Sequence, residues 1–333
     1  MGPTELWIMV SKTLKSVSRK RYSDPRFDGQ GCDYSIWLVI RIFLLCVLEG
    51  YSGNVFFEKL QSERGLRQRL GLPFKLISRS QYYKRLKTAA FLQGLLEILR
   101  TSAARALEAL GEEEVRVVAM DLTRIESDPR KDLWGAWGFD SRGHFWGYKL
   151  GLIVSTGGVV LGMTLMRANW VEFNVNRRLL KLARGTVLTA FGRLPVDYLV
   201  CDAGFDGEST YKGSHSHLHA RVLCPPRRQR NPKAKTAKKV LSQARSLKPH
   251  RLRDQALWEE EASRGIYRLR NRVEQVNGQL KDIPLRIDEI PRARRGVKRL
   301  RPICLAKVIL YNLALNVNIA AGQEIRHIRA LVA

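Results

Sequence analysis

Residues 267–281 read YRLRNRVEQVNGQLK, and the fold is decided here. On a helix, at about 100° per residue, Tyr267, Arg270, Glu274 and Lys281 fall within a sector of roughly 60°. Ile266, Leu269, Val273, Val276 and Leu280 form a separate apolar stripe. One face therefore packs on a core. The other presents a single carboxylate ringed by a phenol, a guanidinium and an ammonium. Two cations beside a carboxylate favour its charged form and make it a poor general acid. They suit a site that handles metal ions and phosphates. Taken alone, the stretch reads as a surface helix with ordinary, weak ion pairs; the rest of the chain changes that reading.

The 333 residues suffice for two domains or one large one, and 45% hydrophobic content supports a packed core. A net charge of +27 on such a chain points to nucleic acid, where neutralising phosphates releases counterions. The five cysteines, Cys32, Cys46, Cys201, Cys224 and Cys304, form no CxxC pair or zinc pattern and read as small buried residues in a reducing cytoplasm. No secretory signal is visible at the start. The apolar stretches 36–48 and 303–321 are short or carry polar residues, and read as core helices; no membrane is expected.

Working back from the opening stretch, residues 226–253 hold eleven Lys or Arg and no Asp or Glu. They read as a basic insertion, an arm along DNA or a solvated loop. Asp254 is expected to open the helix that carries residues 267–281, and Pro284 to end it. Pro291 to Pro302 is a second basic segment, followed by a final apolar helix under a sheet.

Upstream, residues 115–120 form an apolar run broken only by Arg116 that ends on Asp121, and 196–201 is followed by Asp202; both read as buried strands. Residues 145–154 and 159–166, joined by Ser155-Thr156-Gly157-Gly158, give a hairpin. Residues 170–182 form a helix stopped by Gly185, and 220–224 a short strand. This order argues a mixed sheet flanked by helices. Residues 1–110 look helical: 34–51 closed by Gly50, 54–64, 66–71, 81–87 capped by Ser78, and 91–110. Arg64, Arg67, Arg69, Lys75, Arg79, Lys84, Arg85 and Lys87 cluster there, either on a small DNA-binding module or as a solvated basic surface.

Each strand-end aspartate alone reads as a cap or turn residue. Together with Glu274 they form a set, since functional groups gather at strand ends in such sheets. Three converging carboxylates repel unless a cation sits among them, and hard oxygen donors suit Mg²⁺ or Mn²⁺. Two such ions would support in-line phosphoryl transfer.

These residues carry a resemblance. The chain resembles the DDE transposases of bacterial insertion sequences, in the branch marked by Tyr-x2-Arg-x3-Glu-x6-Lys, met by Tyr267, Arg270, Glu274 and Lys281. Asp202-Ala203-Gly204-Phe205-Asp206 meets the motif Asp-x-Gly-Tyr/Phe-Asp. Asp121-Leu122-Thr123 meets the first block less well, with Leu where the family often has a small or polar residue; residues 147–150 are similar to its Gly-Tyr-Lys-Leu segment. The resemblance covers about residues 115–320. It implies an α/β, ribonuclease-H-like catalytic domain over 111–330, interrupted by the basic insertion, after a helical domain over 1–110 that binds DNA or pairs protomers. It implies that Asp121, Asp202 and Glu274 are catalytic and ligate two Mg²⁺ or Mn²⁺ ions, and that Tyr267, Arg270 and Lys281 contact DNA phosphates. The implied reaction is metal-dependent cleavage at terminal inverted repeats, then attack of the freed 3′-hydroxyl on target DNA. Double-stranded DNA is the partner, a homodimer the assembly on it, and the bacterial cytoplasm and nucleoid the location. A DNA-binding protein that no longer catalyses, and a nuclease that cuts without joining, stay open as alternatives.

Smaller candidates read as structural. Asp206 is expected to fix the turn after Asp202 through local backbone bonds. His215, His217 and His219 alternate as on a polar strand edge. Trp134, Trp137 and Trp146 are packing residues or stack on unpaired bases. Glu126, Asp128 and Asp132 read as loop carboxylates.

Overall fold

The computed structural model describes residues 8, 12–13, 35–50, 53–69, 77–140, 142–170, 173–226, 249–282, 285–288 and 296–323. Two compact units divide the chain: residues 1–106, 279–290 and 298–333 form the first, and 107–278 with 291–297 the second.

The first unit is helical. Helix α1 (Ile36–Leu48) starts where the Ser35 side chain accepts from Leu38 N, and Gly50, at φ +67, follows its end. α2 (Gly53–Ser62) and α3 (Arg64–Arg69) come next. Ser78 caps α4 (Arg79–Arg85) as expected, accepting from Gln81 N. The basic cluster is not all surface, because Arg85 is 6% exposed. α5 (Ala89–Leu110) carries Phe91, Leu95, Ile98 and Leu99 into the core. The final helix of the described chain, Val297–Ala320, starts earlier than the sequence reading has it and contains Pro302, because Leu300 is already buried. It groups with the N-terminal helices, and its Asn316 Nδ2 donates to Ser102 O at 2.8 Å. By length and composition it could cross a membrane, but 78% of its apolar window is buried in the fold.

The second unit is built on a sheet, six-stranded among the described residues. β1 (Val117–Glu126) pairs antiparallel with β3 (Gly143–Ser155). On its other side β3 pairs first with β2 (Ala136–Asp140) and then with β4 (Val160–Arg167). The change of partner falls at Gly147, whose φ is +148 and where a Cβ would lie 2.2 Å from Ile125 O, so only glycine fits. β5 (Tyr198–Cys201) runs parallel to β1, and β6 (Arg221–Leu223) parallel to β5. Antiparallel strands followed by parallel ones make the mixed α/β sheet, flanked by helices, that the sequence order argued. Helix α6 (Phe173–Phe191) packs on β3 and β4, and α7 (Glu208–His217) on α6 and β6.

Three local expectations change. β1 does not stop at Asp121; it runs five residues further, because β3 continues to pair with it through Glu126↔Gly147. Gly185 does not stop α6, since Thr186 and Val187 continue its buried face; the turn comes at Gly192, φ +70. The helix carrying residues 267–281 is not one rod from Asp254. It is α8 (Pro249–Ala256), a 3₁₀ turn, α9 (Glu261–Tyr267), a second 3₁₀ turn over Arg268–Arg270, and α10 (Asn271–Lys281). The insertion over 227–248 lies outside the described residues, as does Cys32. Cys46, Cys201, Cys224 and Cys304 are buried and in no disulfide among the described residues.

Candidate active site

Parallel pairing of β1 with β5 ends at Met120↔Cys201. One position further along each chain stand Asp121 and Asp202, on backbones about 5 Å apart. β1 continues alone on that side, while β5 ends and Asp202 caps the 3₁₀ turn Ala203–Phe205, accepting from Ala203 N at 2.7 Å. The strand-end expectation therefore holds for Asp202. Asp121 sits where β1 loses its neighbour, which opens the same face of the sheet.

The 3₁₀ turn Arg268–Arg270 packs against β1 and β5 at this place. In such a turn residues three apart eclipse, which brings the Arg270 guanidinium to 5.9 Å from the Tyr267 ring. The regular helix resumes, and Arg270 pairs with Glu274 one turn on. Burial by itself would lower the Arg270 pKa, but Tyr267, Glu274, Asp121 and Asp202 together raise it. Arg270 is thus ion-paired with Glu274 and lies in the field of Asp121 and Asp202. Tyr267, stacked edge-on against Trp258 at 4.8 Å, has its phenol pushed up to about 12 by burial, so it keeps its proton at neutral pH. Lys281 ends α10, two turns beyond Glu274.

Asp121 shows the electrostatics most plainly. Burial pushes its carboxyl up to about 6; a backbone hydrogen bond at Leu122 and the charge of Arg270 oppose the rise, and the charges of Asp202 and Glu274 add to it. Because the folded value lies above the ordinary one, this group's contribution to stability is full below about pH 4 and is lost as pH rises through about 6. Asp121→Asn is therefore expected to be more stable than the parent near neutral pH in chelator. The upper limit is about 3 kcal/mol, at about 1.4 kcal/mol per pKa unit, and less with solvent screening. Denaturant melts at about pH 5 and about pH 7.5 check this, and the gap between the two proteins must widen at the higher pH.

One contributor has no signal in the sequence motif. Asn277, 7% exposed, donates from Nδ2 to Asp121 Oδ2 at 3.2 Å, while its buried Oδ1 meets no hydrogen-bond partner among the described residues. It ties the glutamate helix to the first aspartate's strand. Asn277→Ala is expected to cost about 1–3 kcal/mol, read from urea melts, because it strips a donor from a desolvated carboxyl.

Asp121, Asp202 and Glu274 carry the hard oxygen groups that would suit Mg²⁺ or Mn²⁺. Among the described residues no three His, Cys, Asp or Glu side chains converge as a formed cation cage. Arg270 supplies the positive charge among them.

The smaller candidates lie elsewhere. Asp206 reaches beyond its own turn: its buried carboxylate takes Arg251 Nε at 3.1 Å and Nη2 at 2.8 Å, and Tyr211 Oη at 3.1 Å. His215 and His217 lie on α7, not on a strand, because Thr210, Tyr211 and Ser214 set a helical buried face. His215 Nε2 is 3.1 Å from Asp254 Oδ2, which also accepts from Val222 N at 2.9 Å. Asp132, read as a loop carboxylate, is 1% exposed.

A family model described as "Transposase DDE domain" matches residues 113–313. Among solved structures, the "Mos1 transposase paired-end complex with left transposon end" matches at 13% identity over 76% of this chain and 81% of that chain, with a TM-score of 0.22. Comparison with curated proteins finds no match.

Proposed function

The chain belongs to the transposase DDE-domain family, and from that premise we propose that it cuts the terminal inverted repeats of an insertion sequence and joins the freed ends to target DNA. What supports this reading is the register that sets Asp121 beside Asp202 where β1–β5 pairing ends, with the Arg268–Arg270 turn packed there and Arg270 paired with Glu274.

In the first step a water oxygen bonds to phosphorus, the P–O3′ bond breaks, and the departing oxygen takes a proton as a 3′-hydroxyl. In the second, that hydroxyl attacks a target phosphodiester, releases its proton, and displaces the target's own 3′-oxygen. Asp121, Asp202 and Glu274 would hold two Mg²⁺ or Mn²⁺ ions, which when bound activate the attacking oxygen and stabilise the leaving one. Asp121 must give up its proton to do so, so binding favours pH above about 6. Arg270, no longer needed as counter-charge, turns to a DNA phosphate beside the protonated Tyr267 phenol, and Lys281 takes another. The helical segment within 1–110 binds the terminal repeats or pairs two protomers, since two ends are handled together.

Incubation of the protein with Mg²⁺ and DNA bearing its presumed terminal repeats tests this. Joined products support the proposal. Cuts without joining indicate a nuclease, and binding without cutting an inactive descendant; either result rejects it.

A further inference from the structure

Away from the carboxylates, a group of open rings lies on one face of the β2–β3 hairpin. Antiparallel register sets Trp137 opposite Trp146 and Phe139 opposite His144, so all four rings share a face. The two pairs meet edge to face, with centroids 5.6 Å and 5.1 Å apart. Trp137 is 60% exposed and Phe139 51%, and Trp134, just before β2, is 60% exposed. The alternate residues Ala136 and Gly138 turn inward.

Trp146 and Trp134 are held in place from beneath. The buried Asp132 carboxylate accepts from Tyr148 Oη at 2.6 Å, Ser127 Oγ at 3.1 Å and Trp134 N at 3.1 Å, and its backbone oxygen from Trp146 Nε1 at 2.9 Å. Tyr148 Oη in turn accepts from Gly296 N at 3.0 Å, and Gly296 lies against the Trp134 ring. With its N–H satisfied internally, the Trp146 indole has only its ring left to offer. A surface fixed in this way loses little entropy when it binds.

We propose that this hairpin face binds unpaired bases of the DNA the protein cuts, an inference that rests on the transposase reading above. Trp137 and Phe139 are two residues apart on one strand, hence about 7 Å. That is about twice the roughly 3.4 Å step between stacked bases, room for one base between two rings. Nearby carboxylates do not repel a strand from the face: Glu126, Asp128 and Asp140 are paired with Arg124, Lys131 and Arg142 respectively. Lys131 and Arg142, 75% and 58% exposed, hold these pairs, so the rim of the face is charge-balanced rather than acidic. Trp146 lies six residues along β3 from Leu152, the partner of Asp121, so about 20 Å along the strand. A strand whose phosphodiester lies at the carboxylates reaches the rings in about six nucleotide steps. A second copy of this chain is the competing occupant.

Fluorescence anisotropy of the full chain with three labelled probes tests the proposal: a short single strand, its duplex, and a single strand of abasic sites. Trp137→Ala and Phe139→Ala are each expected to weaken the single strand about tenfold, while duplex and abasic binding change less than about twofold. Trp137→Phe should keep most of the affinity. Both alanine sites are more than half exposed, so melting temperatures should stay near the parent's. The proposal is overturned if both alanine variants bind the single strand as the parent does, or lose the abasic probe equally. It is also overturned if the parent sediments as a dimer that Trp137→Ala dissociates without change in base binding. A parent that binds none of the probes removes the transposase reading itself; one that binds duplex while the variants change nothing removes only the base platform.

Discussion

Glutamine in place of Glu274 is expected to cut strand cleavage by about a thousandfold or more while DNA affinity stays level or rises slightly. The substitution keeps the side chain's shape and removes its charge. Its side chain is 49% exposed, on the first turn of α10, so the fold has little to lose. On the proposed reading the donor set changes: two carboxylates would not suffice to hold two divalent cations at a phosphodiester. The same change frees Arg270 from its pairing with Glu274 and leaves a guanidinium available to DNA phosphate. Cleavage and gel-shift assays on the same preparation separate the two effects. Cleavage equal to the parent's would remove Glu274 from the site.

The second large effect concerns stability. Arg251→Ala is expected to cost about 2–4 kcal/mol, because it removes both guanidinium hydrogen bonds from the fully buried Asp206 carboxylate. Arg251 is itself 28% exposed, which holds the figure below that of a wholly buried pair. The melting temperature should fall by about 5–15 °C. Replacing both partners, as in Arg251→Met with Asp206→Leu, should recover much of the loss, since no uncompensated charge then remains buried. A single Arg251→Ala variant as stable as the parent would show that the pair does not tie α8 to the Asp202 turn.

Both effects start from residues that differ in how visible they are in the chain. Asp121 and Asp202 follow apolar runs that a buried sheet requires, so their strands can be read from composition alone. The signature Tyr267, Arg270, Glu274 and Lys281 was legible on a helical wheel even though a 3₁₀ turn interrupts the helix. That turn over-rotates three residues and stacks Tyr267 on Arg270, so the shared face survives. The 45 residues between Asp206 and Arg251, and the 156 between Asp121 and Asn277, explain why those contacts were hidden. No local periodicity encodes a partner so far along the chain. β2 was missed because its five residues alternate Trp and Phe with Ala and Gly, a pattern too short and too weak in β-formers to outweigh a loop. The histidine alternation misled for the opposite reason: SHSH has a strand's period, but Thr210, Tyr211 and Ser214 anchor a helix beneath it.

Anomalous diffraction from crystals of the protein grown with a DNA end and Mn²⁺ tests the central claim most directly. The account predicts manganese within about 2.0–2.2 Å of carboxylate oxygens from Asp121, Asp202 and Glu274, with Arg270 moved from Glu274 to a phosphate. Manganese held by other side chains, or three carboxylates that share no ion with the DNA in place, would contradict it.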